Sequence, residues 1–151
     1  MDQLIRLYEL PPAPPIPEGV VIRPPLGPER DLIAAWVTGH FGAGWASEAR
    51  VALAQQPSTL VIAIEDEAIV GFSCHDATAR GMFGPVGVAS SARGRGIGIA
   101  LSWASFDAMR RAGYAYAVAG WVGSDDYFRK AFGASDIPGS TPGLYRGMLR
   151  G

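Results

Sequence analysis

The chain has 151 residues, 48% hydrophobic and 18% charged, which suits one compact domain with a real core and leaves too little for two. Thirteen Lys and Arg against fourteen Asp and Glu leave a net charge of −1, excluding an overall balance made for nucleic acid or an anionic membrane; any basic site is local. The single cysteine, Cys74, excludes an internal disulfide, no Cys/His cluster has metal-ligand spacing, and with neither a signal-peptide start nor a run near ~18 apolar residues the chain is expected in the cytoplasm.

Gln3 to Leu10 alternates as a strand does, and PPAPPIPEG (11–19) then forces an extended, polyproline-like connector. Residues 1–18 are therefore expected to be a strand and tether ahead of a domain over 19–151. Gly19 to Arg23 reads as a second strand. Pro28, Glu29 and Asp31 start a helix whose stripe is Leu32, Ile33, Trp36, Val37 and Phe41, and a second helix spans Trp45 to Gln55, before Pro57. The apolar runs 58–65 and 68–76, joined by Asp66-Glu67, predict a hairpin in a sheet covered on both faces. Met82 to Ala89 is the next strand, and Gly98 to Ala112 an amphipathic helix with Arg110-Arg111 at its negative end. Tyr114 to Val122 reads as a strand, Asp125 to Phe132 as a short helix, and Leu144 to Leu149 as a last strand, after Pro-Gly turns. The order ββααβββαβαβ predicts an α/β or α+β fold with one parallel strand–helix–strand crossover over 82–122. Residues 3–10 are expected at an exposed sheet edge, which would suit a homodimer.

The stretch VGVASSARGRGIGIAL (86–101) carries the chemistry. A glycine-rich loop from strand to helix exposes unpaired N–H groups at the positive end of a helix dipole, a natural anion site. Arg93 and Arg95 add bidentate donors with no acid beside them in the sequence. A Walker loop would need Gly-Lys-Ser/Thr where Gly96-Ile97-Gly98 stands, and a dinucleotide fingerprint would need G-x-G-x-x-G with an acid about 20 residues on, where AYAVAGWV has none.

Arg93-Gly94-Arg95-Gly96-Ile97-Gly98 matches R/Q-x-x-G-x-G/A and, with the strand ending in Val86 and Val88, the helix after it and Phe132-Gly133-Ala134, resembles the GNAT superfamily of N-acetyltransferases over about residues 19–150. The resemblance implies a mixed, mostly antiparallel sheet flanked by helices, splayed between the strands ending at Val88 and starting at Tyr114. It implies acetyl-CoA as acyl donor, with Val86, Gly87, Val88 and Phe128 along the pantetheine arm and residues 93–98 at the pyrophosphate. It also implies a primary-amine acceptor, small or a peptide N-terminus, attacking directly in a ternary complex.

This chain departs from that family where the chemistry is done. Where many members have a tyrosine, Arg129 stands here, or Phe128 if one more residue is accommodated; the nearby hydroxyl is Tyr127, the candidate acid, with packing as the competing role. The strand MFGPVGVA lacks the glutamate some relatives carry, so His75 is the candidate base, against a plainer role as a partly exposed surface residue. Phe41, Trp45 and Glu48 would form the acceptor wall with Trp121, unless the rings only staple helices together. The alternatives are a CoA-binding module without catalysis and an anion-binding domain unrelated to CoA.

Overall fold

The computed structural model describes residues 1–123 and 126–150. The hairpin forms where two β-branched runs are joined by a two-residue turn: β3 (Leu60–Glu65) and β4 (Ala68–His75) pair through Glu65 and Ala68, with Asp66 and Glu67 at φ 51 and 60, the left-handed pair that matches strand twist. Around it lie β1 (Gln3–Arg6), β2 (Val20–Arg23), β5 (Met82–Val88), β6 (Tyr116–Ala119) and β7 (Ser135–Asp136). Among the described residues these make one sheet of order β2-β3-β4-β5-β6-β1-β7, antiparallel except for β5 and β6. The expected fold class is borne out.

Helices α1 (Arg30–Phe41) and α2 (Ala43–Ala54) cover one face, where Ile33, Val37, Ala49 and Leu53 meet Leu60, Ile62, Phe72 and Cys74. Helix α3 (Ile97–Arg111) crosses the other face between the parallel strands; Ile97 and Leu101 pack on Val20 and Ala63, and Phe106 and Met109 on Ile5, Leu7 and Phe83. The Ser73 hydroxyl ties α3 to the sheet, donating to the Leu101 carbonyl at 2.9 Å and meeting Ser105 Oγ at 2.6 Å. Helix α4 (Tyr127–Phe132) buries Phe132 in the same cluster; its expected start at Asp125 lies outside the described residues.

Two expectations at the chain ends are corrected. β1 is not an exposed edge: it lies between β6 and β7, pairing Ile5 with Ala117 and Leu4 with Ser135, because Ile5 and Leu7 are fully buried against α3. The strand ends at Arg6, and a 3-10 turn follows over Leu7–Glu9. Residues 144–149 form no strand. Gly143 and Gly147, at φ 58 and 76, break the run into a 3-10 turn (Gly143–Tyr145) and irregular chain, and Leu149 is 95% exposed. The proline connector lies along α3, where Trp103 Nε1 donates to Pro11 O at 2.8 Å.

A fully buried Ile5 makes β1 part of the core. Ile5→Ala is expected to lower unfolding stability by about 2–5 kcal/mol in a urea titration; a loss under about 0.5 kcal/mol would make β1 an accessory strand.

Candidate functional site

The parallel pair β5–β6 is short. Only Met82 with Val118 and Phe83 with Ala119 are in register, so Gly84–Val88 has no strand neighbour on that side. Gly84 turns away at φ 114, and Pro85 has no N–H to offer. On the other side Ala89 N donates to Val70 O at 2.8 Å; by antiparallel alternation Val86 and Val88 then aim their peptide groups away from β4, into the gap. Arg93 Nε takes the Val88 carbonyl at 3.0 Å from that gap.

At the end of β5 the glycines let the loop turn into α3. Gly94 and Gly96 have φ 79 and 84, and Gly96 is the N-cap. The first intrahelical bond runs from Ala100 N to Gly96 O at 3.1 Å, which leaves the N–H groups of Ile97, Gly98 and Ile99 without helix partners, and no side chain caps them. These donors and the positive dipole end face one cleft of about 710 Å³ with the open edge of β5. Arg95 does have an acidic neighbour, contrary to expectation: its guanidinium grips Glu65 in a bidentate pair at 2.7 and 2.8 Å, holding the Glu65 carboxyl below its usual range. The partner sits 30 residues upstream, at the end of β3.

The structure brings most of the expected residues together. Phe41 and Trp45 line the cleft as a stacked pair, ring centres 5.0 Å apart. Phe41 lies so close on Gly87 that a Cβ there would stand 2.5–3.0 Å from its ring atoms, so that position takes no side chain without moving the ring. Trp121, at φ 55, lines the opposite side with Tyr127 and Phe128. The Tyr127 hydroxyl lies 3.2 Å from where a Gly98 Cβ would be, under the first turn of α3, while Phe128 packs edge-on against Phe83.

Glu48 and His75 stand apart from the lining. Glu48 is one turn beyond Trp45 and accepts a hydrogen bond from Thr78. His75 is not a surface residue: 7% exposed, it is covered by the core, and its Nδ1 has no partner among the described residues. Tyr145 carries no signal in the sequence, since it falls in a stretch whose pattern predicts a strand. It stacks on Trp121 at 4.5 Å and 10°.

The sequence profile of the acetyltransferase (GNAT) family matches residues 29–133. The chain belongs to this family. A GCN5-related N-acetyltransferase from Sphaerobacter thermophilus has 27% identity and a TM-score of 0.72 over 89% of this chain and 47% of its own. One from Kribbella flavida has 18% identity and a TM-score of 0.64 over 89% of this chain and 52% of its own. A tandem GNAT protein from the clavulanic acid biosynthesis pathway has 17% identity and a TM-score of 0.59, over 90% and 49%. This chain thus spans about half the length of these GNAT relatives. No curated protein matches it. Among the described residues no helix is long and apolar enough to cross a membrane.

Burial, opposed by the nearby Asp76 charge, holds the His75 imidazole below its ordinary value of 6.5. The unfolded chain then takes up a proton that the folded one refuses, so stability is full above about pH 6.5 and falls as pH drops below it. Glu29, held at about 2 by Arg23 and the Leu26 N–H, begins to cost stability only as pH falls toward its unfolded value of 4.5, at the foot of this window. Urea unfolding between pH 7 and 5 is expected to show a slope of up to about 1.4 kcal/mol per pH unit that His75→Gln flattens. An unchanged slope in the variant would assign the acid sensitivity elsewhere.

Proposed function

We propose that this chain transfers an acetyl group from acetyl-CoA to a primary amine by direct attack in a ternary complex. The observation that carries the reading is the single cleft shared by the unpaired edge of β5 and the uncapped N-terminus of α3. In this reading the pantetheine arm adds to β5 as an extra strand, bonded to Val86 and Val88 across Gly87, with Phe128 beside it. The pyrophosphate takes the N–H groups of Gly94, Arg95, Gly96, Ile97 and Gly98, with Arg93 as the nearby cation. The amine nitrogen bonds to the thioester carbon and the C–S bond breaks. The N–H of Val86 or Val88 stabilises the oxyanion, Tyr127 protonates the departing sulfur, and the proton shed by the attacking nitrogen passes through solvent to restore the Tyr127 hydroxyl.

No carboxylate or imidazole is among the described residues that line the cleft, which speaks against His75 as the base. A weakly basic acceptor suits such a site. At pH 7 an α-amine of pKa ~7.7–8.0 is neutral in roughly 10–15% of molecules, a lysine side chain in about one of 2,500.

Thermal shifts with acetyl-CoA, CoA and inorganic pyrophosphate test the binding half. At 100 times its dissociation constant a ligand adds about 2.7 kcal/mol, so both CoA species are expected to raise the melting temperature clearly. Gly96→Ala and Gly96→Glu share the strain of a side chain at φ 84, but only the second sets a charge against the diphosphate; the shift is expected to survive the first and vanish in the second. No shift at saturating ligand would sink the reading. Tyr127→Phe is expected to lower kcat by about 100-fold with acetyl-CoA affinity kept, and an unchanged kcat would leave that tyrosine a packing role only.

A further inference from the structure

We infer that the acceptor end of the cleft is an aromatic box, lined by Phe41, Trp45 and Trp121 with Tyr145 stacked behind Trp121, that selects a primary amine carried on a flat aromatic body. The inference rests on the acetyl-transfer reading and adds to it a substrate class and a positioning residue, Tyr145, which acts through Trp121. The two walls border the same cleft where β5 and β6 part. Phe83 and Ala119 are the last pair in register, Trp121 follows two residues on, and Phe41 lies on Gly87. Gly87 stands between Val86 and Val88, which would hold the acyl carbonyl.

Trp45 is 37% exposed and Trp121 58%, large rings whose remaining faces border a cleft. Each is already stacked on one side, Trp45 on Phe41 and Trp121 on Tyr145. A flat apolar ligand between them buries what is left of both. A hydroxyl-rich or multiply charged amine has nothing comparable to gain, because no carboxylate is among the described residues that line the cleft and two that lie near Tyr145 are already bonded. Glu48 accepts from Thr78, and Asp2 Oδ1 accepts the Trp121 N–H at 3.0 Å. Its polar groups would be desolvated without partners. The two carboxylates still favour one ammonium approaching over the ring faces.

Tyr145 sets the second wall. Its hydroxyl occupies the space of a side chain at Gly120, where a Cβ would collide with it and stand 2.5 Å from Met82 Cε. That position fixes the ring on which Trp121 lies, and Thr78, the residue bonded to Glu48, lies near its hydroxyl.

The test uses the full chain, first saturated with CoA for titration calorimetry and then with acetyl-CoA for turnover, against 2-phenylethylamine, phenylalaninamide, ethanolamine and glucosamine. The aromatic amines are expected to bind the CoA complex and to exceed the other two at least tenfold in kcat/KM, a preference for phenylalaninamide marking a peptide N-terminus as the source. Tyr145→Ala is expected to weaken them roughly three- to tenfold, mainly in KM, as loss of one stacked contact would, and Tyr145→Phe to keep the wild-type values. Turnover of ethanolamine or glucosamine as good as that of the aromatic amines, or a preference untouched by Tyr145→Ala, would overturn the box and leave the transferase. Aromatic amines bound to the CoA complex with no amine turned over would support the box and overturn the transferase.

Discussion

A sheet that pairs almost everywhere and then stops pairing is the constraint on which this molecule turns. Seven strands share one hydrogen-bonded network, yet β5 and β6 part after two residue pairs. Buried backbone groups need partners, so such an opening survives only where it meets solvent or a ligand. Here Arg93 satisfies the Val88 carbonyl. What remains is an edge that any extended polar chain can complete.

The rest of the architecture keeps that opening in shape. Helix α3 starts at one side of the gap and passes beneath the sheet, fixed by the Ser73, Ser105 and Leu101 contacts, so its positive end cannot drift from the edge of β5. The Arg95–Glu65 pair fastens the loop to the end of β3. Both groups are partly exposed, so the pair contributes more to register than to stability. On the opposite face Phe41 presses on Gly87, which joins the α1–α2 corner to the strand at its most open point.

Legibility in the sequence followed the range of the physics. The hairpin, the two early helices and the strand–loop–helix around RGRGIG rest on periodicity, turn residues and glycine, all local, and they were readable. The slot beside β6 was not: Gln3 to Leu10 and Leu144 to Leu149 both look like strands, and the choice lies in which apolar residues reach the core under α3 and α4. Ile5 and Leu7 do, and Leu149 does not. Glu65 is far from Arg95 in sequence and adjacent in space. His75 looked like a surface residue because nothing local says that its strand is covered. Tyr145 is invisible until Trp121 is placed, since stacking between residues 24 apart leaves no pattern.

The position of β1 bears on how the protein is made. Its partners are residues 116–119 and 135–136, and the backbone of Asp2 bonds to Ile137 and Ser140. Of these seven strands the one translated earliest is thus among the last to find its place. Ile5 and Leu7 find their buried partners only in residues 83–134, far along the chain. Sequence-distant pairing of this kind slows folding, so the sheet closes only once both ends of this domain are available.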